Sequence, residues 1–265
     1  MPKRTIPALL AAAVAASTLI AFAAGPAGAA AAYSPFTGTP TRWIIAHRGA
    51  PALYPEEGSR GYDRCRASGF PLEADARQLK DGTWVLLHDA TVDRTMYGVK
   101  GAVDQLTLAQ WRAARLRAAP SGLYPTDQPV TLADFLARYG GTAPILLEHK
   151  AGSVTAFISQ IKSRGLQNSV MAQSFSWDTA RQFKAAGLIP MYLMGTNLPV
   201  APTTIRSTGI RHVGVSKDMG PANVKALRAA GLVVVSYTVN TRSNFNYEVN
   251  QGVNGSFSDN PWALR

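Results

Sequence analysis

Cys65 is the chain's single cysteine, so no disulfide can form within it, and a sizeable apolar core must hold the fold together. Set in Gly61-Tyr62-Asp63-Arg64-Cys65-Arg66, that thiol reads as a small buried apolar group rather than a reactive one. No glycine-rich dinucleotide or phosphate-loop fingerprint occurs, which argues against an open nucleotide-binding sheet. Acids are scarce, 16 against 27 Lys and Arg, for a net charge of +11. The basic residues are scattered, however. Their densest cluster, Arg112, Arg115 and Arg117, lacks the interleaved aromatics that stack on bases, so nucleic acid is not an expected partner. The charge suits attraction to anionic material such as cell-wall polymers, phospholipid or phosphodiesters. Beyond residue 32, no segment is long and apolar enough to span a bilayer.

The N-terminus has a different character. Lys3 and Arg4 precede an alanine-rich apolar run from Ile6 to Ala24, and small residues follow at Ala27-Gly28-Ala29-Ala30-Ala31-Ala32. A positive start, an apolar middle and small cleavage-site residues define a secretory signal peptide. Residues 1–32 are therefore expected to be cleaved on export. A retained anchor is the alternative reading, and no cysteine follows the run to accept a lipid. The remainder, 33–265, has the length of one large α/β domain or two small ones, and is expected to be secreted without a stable membrane anchor.

Through this remainder, short apolar runs alternate with amphipathic stretches. Strands are expected at Trp43–His47, Pro71–Arg77, Trp84–His88, Ala143–Lys150, Val170–Phe175, Ile189–Gly195, His212–Ser216, Val233–Val239 and Gly255–Ser258. Helices are expected at Gly58–Ala67, Leu106–Leu116, Leu132–Tyr139, Val154–Arg164, Trp177–Ala186, Thr203–Thr208, Asn223–Ala230 and Arg242–Gln251. Thr131 and Ser176 mark helix starts, and Gly165 and Gly252 are among several glycines that mark ends. Continuous runs such as Val233-Val234-Val235 suit strands buried on both faces, and about eight strand–helix units imply an α/β fold of the TIM (β/α)8 barrel type. The segment 89–124 breaks the rhythm and reads as an insertion.

Chemistry-bearing residues gather where strands end. His47-Arg48 closes the first run; Glu73-x-Asp75, His88-Asp89 and Glu148-x-Lys150 close later ones. In such a barrel the C-terminal strand ends form the active-site face. Residues two apart on a strand share a side, so Glu73 and Asp75 should project together, as should Glu148 and Lys150. Three converging carboxylates repel one another unless a cation lies between them, and an all-oxygen set favours Ca²⁺ or Mg²⁺ over zinc. Arg48 and Lys150 add fixed charge for an anionic diester. His47 and His88 supply imidazoles, the side-chain type suited to taking and giving a proton. Asp89 would point away from His88 on a strand, so its role stays open. His149, alternating outward, and His212, without such neighbours, read as packing residues. Taken singly each motif is ordinary; the ordered set is not.

That set resembles the glycerophosphodiester phosphodiesterase family, a phosphatidylinositol-phosphodiesterase-like TIM barrel. The matches are Ala46-His47-Arg48-Gly49, Tyr54-Pro55-Glu56-Glu57, Leu72-Glu73-Ala74-Asp75, Leu87-His88-Asp89, Asp93-Arg94-Thr95, Leu147-Glu148-His149-Lys150, Tyr237-Thr238-Val239-Asn240 and Ser258-Asp259-Asn260-Pro261. The resemblance implies a barrel with a small insertion after the second strand. It implies His47 and His88 as the acid/base pair, Glu73, Asp75 and Glu148 as ligands of one divalent cation, and Arg48 on the phosphate. Lys150 would contact the phosphate or a nearby carboxylate, and Tyr237 would form an apolar wall for the glycerol backbone. An adjacent substrate hydroxyl would attack phosphorus, and water would open the cyclic product to give an alcohol and glycerol 3-phosphate. Ca²⁺ is expected over Mg²⁺ because it is abundant outside cells. Two departures stand out: Glu57 occupies a position where the family usually has Asn, and Tyr237 and Ser258 stand where it often has Trp and Thr. Substrates from small glycerophosphodiesters to wall polymers fit this reading. The alternatives are a phospholipase-D-like lyase that acts on lysophospholipid or sphingomyelin and stops at the cyclic product, and a barrel that binds wall polymer without turnover.

Overall fold

Val233-Val234-Val235 and the other apolar runs become parallel strands walled on both sides. In a computed structural model that describes residues 40–265, with Phe36 and Gly38 ahead of them, the chain runs as follows. The first half contains β1 (Trp43–Ala46), α1 (Ser59–Ala67), β2 (Leu72–Gln78), β3 (Trp84–Leu86), β4 (Met96–Tyr97), α2 (Leu108–Ala113), β5 (Arg115–Arg117), β6 (Thr126–Asp127), α3 (Leu132–Tyr139), β7 (Ile145–His149) and α4 (Val154–Lys162). The second half contains β8 (Val170–Ser174), α5 (Trp177–Ala185), β9 (Ile189–Met194), α6 (Pro202–Ser207), β10 (His212–Ser216), α7 (Pro221–Ala229), β11 (Val233–Tyr237), α8 (Arg242–Asn250) and β12 (Gly255–Ser258). The expected leader lies outside the described residues.

Strands β1, β2, β7, β8, β9, β10, β11 and β12 pair in that order, all parallel. The ring closes where β1 meets both β12 (Ile45 beside Phe257) and β2 (Ala46 beside Leu72). This is the (β/α)8 barrel. Two layers of core follow from strand alternation. Ile45, Leu146, Met171, Met191, Val235 and Phe257 fill the interior, while Leu72, Ala74, Ile145, Leu147, Val170 and Ala172 pack outward with Phe135, Phe157 and Phe183 of the helices. Each buried Leu-sized side chain contributes about 1.5–3 kcal/mol of transfer free energy. The expected helix starts are capped: the Thr131 and Ser176 hydroxyls accept hydrogen bonds from the Asp134 and Thr179 amides.

Between β2 and α3 the chain leaves the barrel. Strand β3 turns back antiparallel on β2 instead of joining the ring, and β4, β5 and β6 form a small antiparallel sheet of their own. Here the sequence reading needs correction in two places. The helix expected over Leu106–Leu116 stops at Ala113, and Arg115–Arg117 is strand β5, because Leu116 turns into the apolar cluster with Trp111, Val92 and Met96. The strand expected over Trp84–His88 ends at Leu86, which leaves His88 in a loop.

His212 and Cys65 are buried away from the barrel mouth, as the sequence suggested. Burial of His212 lowers its pKa from the ordinary 6.5 to about 4, with the Arg211 charge adding to the effect. A group held neutral in the fold but protonated when unfolded draws stability away as pH falls from about 6.5 toward 4; below both values the loss is complete. The His212→Leu variant should therefore show a shallower decline of unfolding free energy across that window, by on the order of 3 kcal/mol. Equal slopes for variant and parent in urea unfolding would contradict this.

Candidate active site

Alternation on the strands decides what faces the barrel mouth. Ile45, Leu146, Val235 and Phe257 point inward, so Glu148 and Tyr237, each two residues on, continue the same inner face at the C-terminal end, and His47 and Asp259 follow directly beyond β1 and β12. Glu73 and Asp75 alternate with outward-facing Leu72, Ala74 and Ala76, and are buried at 3% and 1% exposure.

Beyond β1 the chain makes a tight turn at His47–Gly49, and α1 packs against it so closely that a Cβ on Gly61 would lie 2.1 Å from the Gly49 carbonyl oxygen. Arg48, Ala50 and Glu57 adopt left-handed backbone with φ of 47°, 64° and 58°. Such conformations cost non-glycine residues on the order of 1 kcal/mol each and mark sites over-determined by their surroundings. Two hydrogen bonds hold this one. The Arg48 amide donates to Glu73 Oε2 at 3.0 Å, and the Glu57 amide donates to the Arg48 carbonyl at 2.9 Å.

The three carboxylates expected to converge do so: oxygens of Glu73, Asp75 and Glu148 all lie within 4.8 Å of one another. Fixed cations surround them. Lys150 Nζ lies 2.9 Å from Glu148 Oε1 and 3.8 Å from Asp75 Oδ1. Arg48 Nε lies 2.9 Å from Asp75 Oδ2, but off the hydrogen-bond direction, so both buried Asp75 oxygens lack a hydrogen-bond partner. Burial and the Asp75 charge raise Glu73 well above the usual carboxylate range and push Glu148 up to about 7. Burial opposes ionisation of Asp75 too, yet Arg48 and Lys150 hold it below the ordinary value. Orphaned oxygens beside two carboxyls whose ionisation burial and a neighbouring carboxylate oppose are the donor set of a hard divalent cation, so these residues fit such an ion.

The imidazoles come from different loops and line one cavity of about 100 Å³, together with Glu73, Glu148, Lys150 and Tyr237. His47 Nδ1 is 2.6 Å from Asp259 Oδ1, and its Nε2 is 4.0 Å from Glu73 Oε2. Asp259 is fixed in turn by Asn240, whose Nδ2 donates to Oδ2 at 2.9 Å and whose Oδ1 accepts from the Asp259 amide at 2.8 Å. Burial works against the Asp259 carboxylate, but His47, Asn240 and Arg48 keep it below the usual range. His88 Nδ1 is 2.9 Å from Asp89 Oδ1, and Arg94 Nε donates to Asp89 Oδ2 at 2.6 Å. Asp89 can therefore orient its neighbour after all, because the pair sits in a loop where the strand rule of opposite faces does not apply. Burial, with Arg48 adding and Asp75 opposing, lowers the His88 pKa.

Tyr237 donates its hydroxyl to the Met194 carbonyl at 2.6 Å and turns its ring edge to Phe175, 5.9 Å between centroids. Glu57 is fully buried. It accepts the Asp75 amide at 3.0 Å and the Tyr62 hydroxyl, so it braces the strand that carries Asp75 and stands outside the carboxylate triangle. His149 packs on Trp84 and Phe157, outside the barrel. Asp259, Asn240 and the Glu56–Arg94 pair had no role in the sequence reading. Only their presence in the matched motifs Ser258-Asp259-Asn260, Tyr237-Thr238-Val239-Asn240, Pro55-Glu56 and Asp93-Arg94 flagged them.

Comparison with known proteins agrees with this geometry. Residues 47–263 match the glycerophosphoryl diester phosphodiesterase family. A glycerophosphodiester phosphodiesterase of Bacillus subtilis is 25% identical over 82% of this chain and 83% of its own length. One of Bacillus altitudinis is 26% identical, covering 82% and 94%. Among solved structures, an Oleispira antarctica phosphodiesterase in complex with the product sn-glycerol-3-phosphate superposes with a TM-score of 0.72 at 22% identity, over 84% of this chain and 95% of the other. The glycerophosphodiester phosphodiesterase of Thermotoga maritima gives 0.68 at 18% identity, over 83% and 95%. The structural likeness shows the shared barrel, and the sequence match across nearly all of it shows that this chain belongs to the glycerophosphoryl diester phosphodiesterase family.

Proposed function

We propose that this protein is an exported, metal-dependent phosphodiesterase that releases glycerol 3-phosphate from glycerophosphodiesters. The observation that carries the reading is the meeting, in one small cavity, of two carboxylate-oriented imidazoles with Glu73, Glu148 and Lys150. Glu73, Asp75 and Glu148 would hold one divalent cation, Ca²⁺ in preference to Mg²⁺. When bound, that ion supplies positive charge against the phosphoryl oxygens. Arg48 and Lys150 add to this charge and orient the diester.

His47 and His88 do the proton work. One imidazole takes the proton of the glycerol hydroxyl adjacent to the phosphodiester as that oxygen bonds to phosphorus. The other gives a proton to the departing alcohol oxygen as its bond to phosphorus breaks. The roles then reverse: the second imidazole deprotonates water, which opens the cyclic diester, and the first protonates the glycerol oxygen that leaves phosphorus. Asp259 and Asp89 fix each ring through Nδ1 and present Nε2 to the substrate. Tyr237 and Phe175 wall the glycerol carbons.

Export rests on the N-terminal leader; among the described residues no helix is long and apolar enough to cross a membrane. Phosphorus NMR of glycerophosphocholine incubated with the leader-free protein and Ca²⁺ tests the reaction. The expected end product is the phosphomonoester resonance of glycerol 3-phosphate. Persistence of a cyclic diester instead would show a lyase.

A further inference from the structure

Two cavities meet at His47 and Arg48. The smaller, about 100 Å³, holds the carboxylates and the aromatic walls. Its size suits the small polyol end of a diester. The larger, about 710 Å³, opens beside it between Ala52 of the first loop, Asn240 and Asn260 of the last loops, and Arg117 and Pro120 of the excursion. A space of this size falls among ligand pockets of about 300–1,000 Å³.

Its cations differ in what they already hold. Arg48 is engaged with Asp75 and Glu56, and Arg94 with Glu56 and Asp89. Arg117 has no carboxylate partner among the described residues. Its guanidinium stacks 4.0 Å above the Tyr97 ring, and its buried Nε has no hydrogen-bond partner. Stacking on an aromatic face fixes the plane of the guanidinium and leaves its N–H donors for an anion. Strand β5 places this residue at the cavity wall, so the small sheet built by the excursion contributes a charged group to the barrel mouth.

Resting on the phosphodiesterase reading above, we propose that the larger cavity receives the leaving alcohol and that Arg117 binds a second phosphoryl group carried by that alcohol. The substrate class is then a glycerol diester with another phosphodiester beyond the scissile one, rather than a diester ending in a neutral or cationic headgroup.

The test compares kcat/KM on bis(glycerophospho)glycerol, which carries the second phosphodiester, with glycerophosphoglycerol, which lacks it. Wild-type protein should favour the first by about tenfold, the scale of a charge-assisted hydrogen bond and well beyond the roughly twofold gain from two equivalent ends. Arg117→Gln should bring the ratio close to the statistical value, and Arg117→Lys should retain most of the preference. Added salt should reduce the wild-type ratio. A ratio near the statistical value in wild type, or an undiminished preference in Arg117→Gln, overturns the subsite while turnover of glycerophosphoglycerol still upholds the phosphodiesterase. Hydrolysis of neither diester overturns the underlying reading and the subsite with it.

Discussion

His47→Ala and His88→Ala are each expected to lower kcat/KM on glycerophosphocholine by about 10²–10⁴-fold, the range of a general acid or base. His47 lies in the turn beyond β1 and His88 in the loop beyond β3, with partly exposed side chains, so neither supports the core. The variants should keep the parent's thermal midpoint and far-ultraviolet dichroism. In the proposed mechanism the two groups serve one concerted transfer, so the double variant should lose far less than the product of the single losses. The parent should show a bell-shaped pH dependence of kcat/KM, and each single variant should lose one limb. Turnover within severalfold of the parent for either variant would remove that histidine from the proton transfer.

Asp259→Asn should cost about 10²-fold or more although it changes no shape. The carboxylate accepts from His47 Nδ1 at 2.6 Å and stabilises the ring once it is protonated, while Asn240 fixes both of the carboxylate's attachments. An amide can turn its NH₂ toward Nδ1, which moves the proton to Nε2 and disables the atom that the proposed mechanism turns to the substrate. A merely structural role would predict loss of stability with the ring unchanged. The mechanism predicts the opposite: an intact fold, and disappearance of the downfield proton resonance of His47 Nδ1–H. A downfield signal that survives alongside normal turnover would contradict the assignment.

The inward-facing residues could be read from the chain because a strand's side chains alternate. Once Leu146 and Val235 are interior, Glu148 and Tyr237 must share that face, and Glu73 and Asp75 follow on β2 by the same counting in twos. Helix starts were equally readable, since Thr131 and Ser176 carry the hydroxyls that cap them. Loops do not obey that counting. On a strand Asp89 would point away from His88, and its bond to His88 depends on a chain that leaves β3 two residues earlier. The partner of His47 lies 212 residues away in sequence, brought near only because β12 closes the ring on β1. The excursion was harder still. Its strands are two or three residues long, too short for any period to register, and Leu116 is a strand residue only because Trp111 and Met96 wait to cover it.

On the proposed function, diester hydrolysis depends on a cation held between Glu73, Asp75 and Glu148. Release of glycerol 3-phosphate from glycerophosphocholine by the leader-free protein, before and after EDTA and with Ca²⁺ or Mg²⁺ restored, tests it most directly. EDTA should abolish release, and Ca²⁺ should restore it more fully than Mg²⁺. Undiminished release after exhaustive chelation would contradict the metal role, and no release with either ion would contradict the activity itself.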